Sequence, residues 1–170
     1  KGHAVAYVMM AMRIAYFKVH KPLAFYAAFL SRKADDFDME VMSKGVLAKQ
    51  KLEELSKEPK LDPKKKNEQA ICEIVVELEA RGIELLPVDI YLSEGRKFKI
   101  EDGKIRIPLI GISGLGGAVI ENILKEREEA KFISVEDLKR RTKMSQTVAD
   151  KLKSIGAISS LSETNQISLF

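Results

Sequence analysis

The sequence has little with which to build covalent or metal crosslinks. It contains one cysteine, Cys72, two histidines and no tryptophan among its 170 residues. A single cysteine cannot form an internal disulfide, which excludes the small disulfide-stapled secreted domains. The histidines and the cysteine also lack the spacing of zinc ligands, so we predict no metal and no cofactor in this chain. This composition fits a protein of the reducing cytoplasm.

The apolar stretch near the N-terminus is short. The apolar stretch from Ala4 to Met12 is interrupted by Arg13, whereas a membrane-spanning helix needs about 20 residues. A signal-peptide cleavage site is missing too. We therefore predict no membrane partner and interpret the stretch as a buried core helix. Because the chain enters this helical pattern at Lys1, without an initiating methionine, we expect it to be a piece of a longer protein.

Acidic residues are absent from residues 1–34, although the whole chain holds 25 of them. The same positions carry six basic residues: Lys1, Arg13, Lys18, Lys21, Arg32 and Lys33. A local positive excess of this kind favours an anionic partner near the N-terminal helices.

Apolar side chains that recur every three or four residues predict four helices in the first half of the chain. Pro22 and Pro63 suit the first turns of the second and fourth helices. Gly82 suits the position just after the fourth helix. The predicted helices cover residues 4–18, 22–31, 38–56 and 63–80.

The period of the apolar residues then changes to two. They alternate with polar residues from Val88 to Leu92 and again from Phe98 to Ile107, and Asp102-Gly103 is a typical turn between antiparallel strands. The pattern predicts a short antiparallel ribbon over about residues 88–108. The fold class is therefore mostly α with a small antiparallel β ribbon.

A glycine-rich segment follows and leads directly into an amphipathic helix. It consists of Ser113, Gly114, Leu115, Gly116 and Gly117. Glycines permit positive φ and leave backbone N–H groups uncovered, so a phosphate oxygen can bind at the positive end of the helix. We expect Leu115 to pack inward and hold the turn. A plain helical corner without a ligand is the alternative, and a dinucleotide loop is disfavoured because its glycine spacing differs.

This segment resembles the hairpin of helix-hairpin-helix proteins, which bind the DNA backbone independently of sequence. The usual hairpin begins with proline, and Ser113 stands at that position here. A second helix pair around Lys143 and Ser145 looks like a degenerate copy without glycines, with Ser145 as its N-cap. The resemblance implies DNA-backbone contacts from both turns. The basic residues at 139–141 and 143 add positive charge there, and a solvated basic face is the alternative interpretation.

The N-terminal 28 residues resemble the fingers of bacterial DNA polymerase III α subunits. The matching pattern is Lys-x-His-Ala-x-x-Tyr from Lys1, then Lys-x-His-x-Pro from Lys18 and a second helix. Ile90-Tyr91-x-Ser93, the glycine hairpin and a terminal Gln-x-Ser-Leu-Phe follow the PolC-type order over essentially the whole chain. The resemblance implies nucleotide or primer–template contacts for Lys1, His3, Tyr7, Arg13 and Lys18. For His3, a purely structural role at the helix start is the alternative.

The last five residues resemble the peptide that binds the bacterial β sliding clamp. They are Gln166, Ile167, Ser168, Leu169 and Phe170, with Ile167 in place of the usual leucine. The resemblance implies that Leu169 and Phe170 enter an apolar pocket of the clamp while Gln166 makes polar contacts. We expect a mobile tail, because a segment rich in serine, threonine and asparagine precedes it. A final strand packed on the same chain is the alternative.

These expectations divide the chain into four segments: residues 1–87 as the C-terminal part of the fingers, 88–110 as the ribbon, 111–160 as a helix-hairpin-helix module that binds duplex DNA, and 161–170 as the clamp-binding tail. The resemblance implies a parent that is a DNA-directed DNA polymerase of the bacterial cytoplasm, with Mg²⁺ and deoxynucleotides as its requirements.

Catalytic residues are not expected in this chain. The resemblance places the metal-binding aspartates upstream, in the palm, and we interpret Asp35, Asp36 and Asp38 as a solvated loop. The alternative function is a non-enzymatic helix-hairpin-helix DNA-binding module of a repair or recombination protein. A pure protein-interaction domain would require a hairpin that is inert towards DNA.

Overall fold

The computed structural model describes residues 2–164 of the chain, and within them it contains eight α-helices and three short β-strands. The helices are α1 (Gly2–His20), α2 (Pro22–Arg32), α3 (Met39–Met42), α4 (Gly45–Ser56), α5 (Pro63–Ala80), α6 (Gly117–Glu129), α7 (Val135–Thr142) and α8 (Gln146–Ser154). The strands are β1 (Leu85–Leu86), β2 (Lys99–Glu101) and β3 (Lys104–Arg106). Two short 3₁₀ turns cover Ala34–Asp36 and Leu109–Gly111. The fold is mostly α with a small sheet, as the sequence predicts.

One hydrophobic core joins the helices of the first half to the sheet and to the later helices. Helix α5 lies at its centre and packs on α4. Its N-terminus is capped by the Asp62 carboxylate, which accepts a hydrogen bond of 2.8 Å from the Lys65 N–H. Gly82 follows the helix at φ +75°. The predicted bounds of this helix are confirmed.

The helix predicted over residues 38–56 is two helices. The Asp38 carboxylate caps α3 by accepting from the Glu40 N–H at 2.9 Å, and Lys44 then adopts an extended conformation before α4 begins. Gly45 starts α4 beside α5, where a Cβ at this position would meet the flexible end of the Glu79 side chain. The change of direction lets the first turn of α4 sit against α5.

Helix α1 is exposed, so the prediction of a buried core helix is wrong. It has no buried residue, and Tyr7 and Met12 are 65% and 68% exposed. A three-residue apolar spacing identifies an amphipathic helix but does not say which surface covers its apolar side. No helix among residues 2–164 is long and apolar enough to span a membrane.

Helix α1 is held at its last turn by a charged cluster on α5. The Lys18 Nζ lies 2.6 Å from a carboxylate oxygen of Glu77. Arg81 donates to the Lys18 carbonyl at 3.4 Å and pairs with Glu77 at 2.9 Å. The buried Tyr26 hydroxyl also donates to Glu77. Burial and this hydrogen bond raise the pKa of Tyr26 to about 12.

The sheet has the strand order β1–β3–β2. Strands β2 and β3 are antiparallel, with Ile100 opposite Ile105. The turn between them uses positive φ angles at Asp102 and Gly103, which confirms the predicted hairpin. Strand β1 is parallel to β3, which the predicted purely antiparallel ribbon did not include.

The strand predicted over Val88–Leu92 is wrong. The Asp89 carboxylate accepts hydrogen bonds from the N–H groups of Tyr91 and Leu92 at 2.8 and 2.9 Å, which closes a turn. Local capping of this kind competes with strand pairing. Arg127 of α6 then donates to the carbonyls of Ile90 and Ser93 at 3.0 and 2.7 Å, which fixes the turn on α6.

Helix α7 is anchored by a buried carboxylate. Asp137 is 4% exposed and pairs with Arg140 and Arg141 at 2.7 and 3.5 Å. The Arg141 guanidinium also lies 4.6 Å above the ring of Phe132 and 2.9 Å from the carboxylate of Glu126 on α6. These contacts fix α7 on α6, so Arg141 has a structural role.

We expect the Asp137→Asn variant to be less stable than the wild-type chain at neutral pH, and the difference to shrink in acid. Burial acts to raise the pKa of Asp137, but hydrogen bonds from Arg140, the Ile133 N–H and Arg141 outweigh it and hold the pKa below its usual value. Such a group stabilises the fold above its unfolded pKa of about 3.9 and loses that effect as pH falls through the folded value.

Thermal melting of both proteins from about pH 7 to about pH 3 measures this difference. The Glu136→Gln variant, altered at the exposed neighbouring carboxylate, is the control and should follow the wild-type chain. A gap between Asp137→Asn and wild type that stays constant down to the lowest pH would contradict the assigned role.

Candidate nucleic-acid interface

The first hairpin joins the 3₁₀ turn at Leu109–Gly111 to α6. Gly114 has φ +89°, which an L side chain rarely adopts. Leu115 follows, 3% exposed, with its N–H bonded to the Ile112 carbonyl at 3.1 Å. Gly116 is the N-cap of α6 and provides no side-chain cap. Because Gly114 and Gly116 are exposed, a ligand can approach the backbone between them.

The second hairpin repeats this geometry with other residues. Lys143 ends α7 in the left-handed region at φ +58°. Met144 is 5% exposed. Ser145 is the N-cap of α8, with the extended conformation of Gly116 and a hydroxyl that accepts from the Val148 N–H at 3.4 Å. The predicted N-cap and the predicted inward packing of Leu115 are both confirmed.

The two hairpins border the same groove. Ser113 and Gly114 of the first face Ser145, Val148 and Lys151 of the second across a shallow depression. The Lys151 Nζ donates to the Ser113 carbonyl at 3.1 Å. Behind the groove, the Asn122 amide of α6 donates to the Thr142 carbonyl at the end of α7. The hairpins are therefore fixed side by side.

Positive charge is concentrated at the second hairpin. Lys143 and Arg140 are exposed there, and Arg140 pairs with Asp137. Lys139 is half-buried and bonds to the side chain of Gln146. Of the predicted basic run, Arg141 is turned into the fold. Lys143 and Arg140 remain as exposed charges next to an exposed N-cap.

The first hairpin faces a second groove, whose lining holds acidic residues as well as Lys51 and Lys64. Asp35, Asp36 and Asp38 border this groove, whose other side is formed by Gly114 and Gly116. Asp36 accepts a hydrogen bond of 2.8 Å from the Asn67 amide, and Asp38 caps α3. Over residues 2–164, no group of three acidic, histidine or cysteine side chains is arranged to hold a metal ion.

The polymerase-like positions on α1 lie apart from both grooves. His3 and Tyr7 form an edge-to-face pair with ring centroids 4.6 Å apart, and Arg13 is exposed. Lys18 is paired with Glu77. Lys1 and the tail from Gln166 to Phe170 lie outside the described residues. The nucleotide, primer–template and clamp roles of these positions stay predictions.

A comparison with known families identifies the hairpin region. The sequence model of the helix-hairpin-helix motif matches residues 82–167, which is half of the chain and includes both hairpins. The chain belongs to the helix-hairpin-helix family. Its first hairpin carries the expected glycines, and its second has the same backbone form without them.

The whole chain is similar to one segment of several replicative polymerases. It is 48% identical over 171 residues to the DNA polymerase III PolC-type of Thermotoga petrophila, and 48% identical to that of Thermotoga maritima. It is 44% identical over 172 residues to the protein of the same name in Bacillus subtilis. Each match covers 100% of this chain and 12% of the relative. The helix-hairpin-helix chain thus spans about an eighth of the length of these curated relatives.

Two residues near the hairpins escaped the sequence-based prediction. Lys151 lies on α8 and contacts the first hairpin, and Arg96 lies next to the first turn of α6. Lys151 contacts Ser113, which is 38 residues away in sequence, so no local pattern indicates this contact. Arg96 is remote from the motif in sequence, and no local pattern indicates its position.

We expect the Lys143→Gly variant to be more stable than the wild-type chain by about 0.5–1 kcal/mol, because glycine adopts the left-handed conformation of this residue without steric cost. The converse change, Gly114→Ala, places a Cβ at positive φ and should cost a similar amount. Urea unfolding of both variants measures the two shifts. A Lys143→Gly variant that is clearly destabilised would mean that Lys143 makes a stabilising contact that outweighs its backbone strain.

Proposed function

We propose that this chain is the DNA-holding segment of a PolC-type replicative DNA polymerase, and that its two hairpins bind the phosphate backbone of duplex DNA. The observation that carries the proposal is the shared geometry of the hairpins. In each hairpin a left-handed residue, a buried apolar residue and an exposed N-cap follow one another, and Gly114 and Ser145 line one groove. Backbone donors at helix N-termini suit phosphate oxygens.

Similarity along the full chain favours this proposal over a repair or recombination module. Helix-hairpin-helix motifs alone fit either function, but the relatives named PolC-type match α1–α5 as well as the hairpins. In the parent polymerase, Mg²⁺ would bind to carboxylates outside this chain. Lys1, His3, Tyr7 and Arg13 would lie near the nucleotide or primer–template, on the exposed helix α1.

We expect the chain to bind duplex DNA of any sequence with an affinity that falls steeply with salt. Each phosphate neutralised should contribute about −0.9 to the slope of log K against log salt concentration. The Gly116→Val variant should bind about ten-fold more weakly to every duplex, because its side chain blocks approach to the backbone. Fluorescence anisotropy with two unrelated duplexes at several salt concentrations measures both effects.

Gly116→Val is a suitable test because the structure leaves room for a Cβ there. The position has a φ of −70°, and no atom lies within 4 Å of its added Cβ. Gly116→Ala serves as the graded control and should lose less affinity. A flat salt response, or a strong preference for one of the two duplexes, would contradict binding through the backbone.

We propose further that the C-terminal residues from Gln166 to Phe170 bind the β sliding clamp. Leu169 and Phe170 would gain about 25 cal/mol for each Å² of apolar surface that a clamp pocket removes from water. Short peptides lose conformational entropy when they bind, so the affinity of the tail alone should be of about micromolar order.

Deletion of residues 166–170 should abolish clamp binding and change the melting temperature by less than about 1 °C. Titration of the chain with purified clamp, followed by calorimetry of both proteins, measures the two quantities. The Leu169→Ala, Phe170→Ala double variant is the matched control and should lose clamp binding without a change in length. If the deletion lowers the melting temperature strongly while clamp binding survives, the tail is a structural strand.

A further inference from the structure

Arg96 is placed at the same helix end as the N–H groups of the first hairpin. Its Nη2 atom lies 3.7 Å from the position that a Cβ of Gly117 would occupy, and Gly117 begins α6. The Arg96 side chain is 59% exposed. A phosphate bound at the first turn of α6 would therefore be within reach of the guanidinium.

The backbone next to Arg96 is held by the 3₁₀ turn that leads into the first hairpin. The N–H groups of Leu109 and Ile110 donate to the carbonyls of Glu94 and Gly95 at 2.9 and 3.0 Å. A Cβ on Gly95 would lie 3.1 Å from the side chains of Ile120 and Leu124, so this loop rests directly on α6. The proximity of Arg96 to the hairpin is thus built into the fold.

In the free chain, the Arg96 guanidinium is occupied by a carboxylate. Arg96 forms an ion pair with Asp35, which is 72% exposed. Asp35 also borders the groove that Gly114 and Gly116 line. An ion pair this exposed is weak and screened by salt, so another anion can displace it. Carboxylate and phosphate offer the same two-oxygen geometry to a guanidinium.

We infer that Asp35 is a built-in competitor for the DNA phosphate at Arg96. A phosphate that docks on the first hairpin takes over the Arg96 guanidinium and breaks its ion pair with Asp35. Arg96 is then a DNA-backbone residue, and Asp35 lowers the affinity of the hairpin for DNA. This inference rests on the proposed duplex binding and assigns two further residues to the same site.

A double-mutant cycle on the 170-residue chain tests the competition, with duplex affinity as the measured quantity. Arg96→Gln should weaken binding and make the salt slope shallower by about 0.9, the contribution of one phosphate contact. Asp35→Asn should tighten binding of the wild-type chain by roughly three-fold, on the scale of exposed ion pairs. In the Arg96→Gln background, the same Asp35→Asn change should have little effect.

Asp102→Asn is the matched control. It removes one negative charge at the tip of the β2–β3 turn, where Asp102 has a positive φ that asparagine tolerates, so it should leave affinity unchanged. Thermal melting of all variants verifies that each is folded at the titration temperature.

Two results would overturn the inference. An equal gain from Asp35→Asn in both backgrounds means that Asp35 acts by long-range repulsion, without Arg96. An unchanged affinity and salt slope in Arg96→Gln means that Arg96 does not contact DNA. If Gly116→Val weakens binding while Arg96→Gln does not, only this inference fails. If neither variant weakens binding, the proposed function of the hairpins fails as well.

Discussion

Each hairpin depends on one buried apolar side chain, Leu115 in the first and Met144 in the second. A backbone that is to bind phosphate must keep N–H groups free of internal partners, so the turn cannot be held by a ladder of its own hydrogen bonds. Burial of one large apolar side chain, which stabilises the fold by about 1.5–3 kcal/mol, holds the turn instead. The packing of α6, α7 and α8 around these two side chains then sets both turns on one surface.

The parts of the fold that follow from local chemistry could be predicted from the sequence. Helix α5 has a proline at its start and a glycine after its end, and both bounds were predicted correctly. The Asp102-Gly103 turn was predicted because few dipeptides adopt two positive φ angles. Val88–Leu92 was mistaken for a strand, because its alternation reflects burial of Val88 and Ile90 on either side of a turn that Asp89 caps.

Features set by distant residues could not be predicted. Lys44 adopts an extended conformation between α3 and α4, and nothing in the local sequence indicates this break. The exposure of α1 has a related cause. Its apolar spacing is that of a core helix, but in the described chain it is held by Lys18 and Arg81 at its last turn. Arg96 was missed for the same reason, since its closeness to Gly117 arises from tertiary packing.

The two hairpins have the same backbone form but offer different chemistry to a phosphate. Gly116 leaves the N-terminus of α6 without a side-chain cap, whereas the Ser145 hydroxyl already accepts the Val148 N–H of α8. In α6 the N–H at the same position, that of Val119, donates to the Gly116 carbonyl at 3.0 Å, and the first hairpin faces a groove that holds Asp35 as well as Lys51 and Lys64. The second hairpin carries the exposed charge of Lys143. Because backbone donors require close approach and lysine acts over a longer range, the proposed duplex binding would use the glycines of the first hairpin for close contact and Lys143 of the second for counterion release.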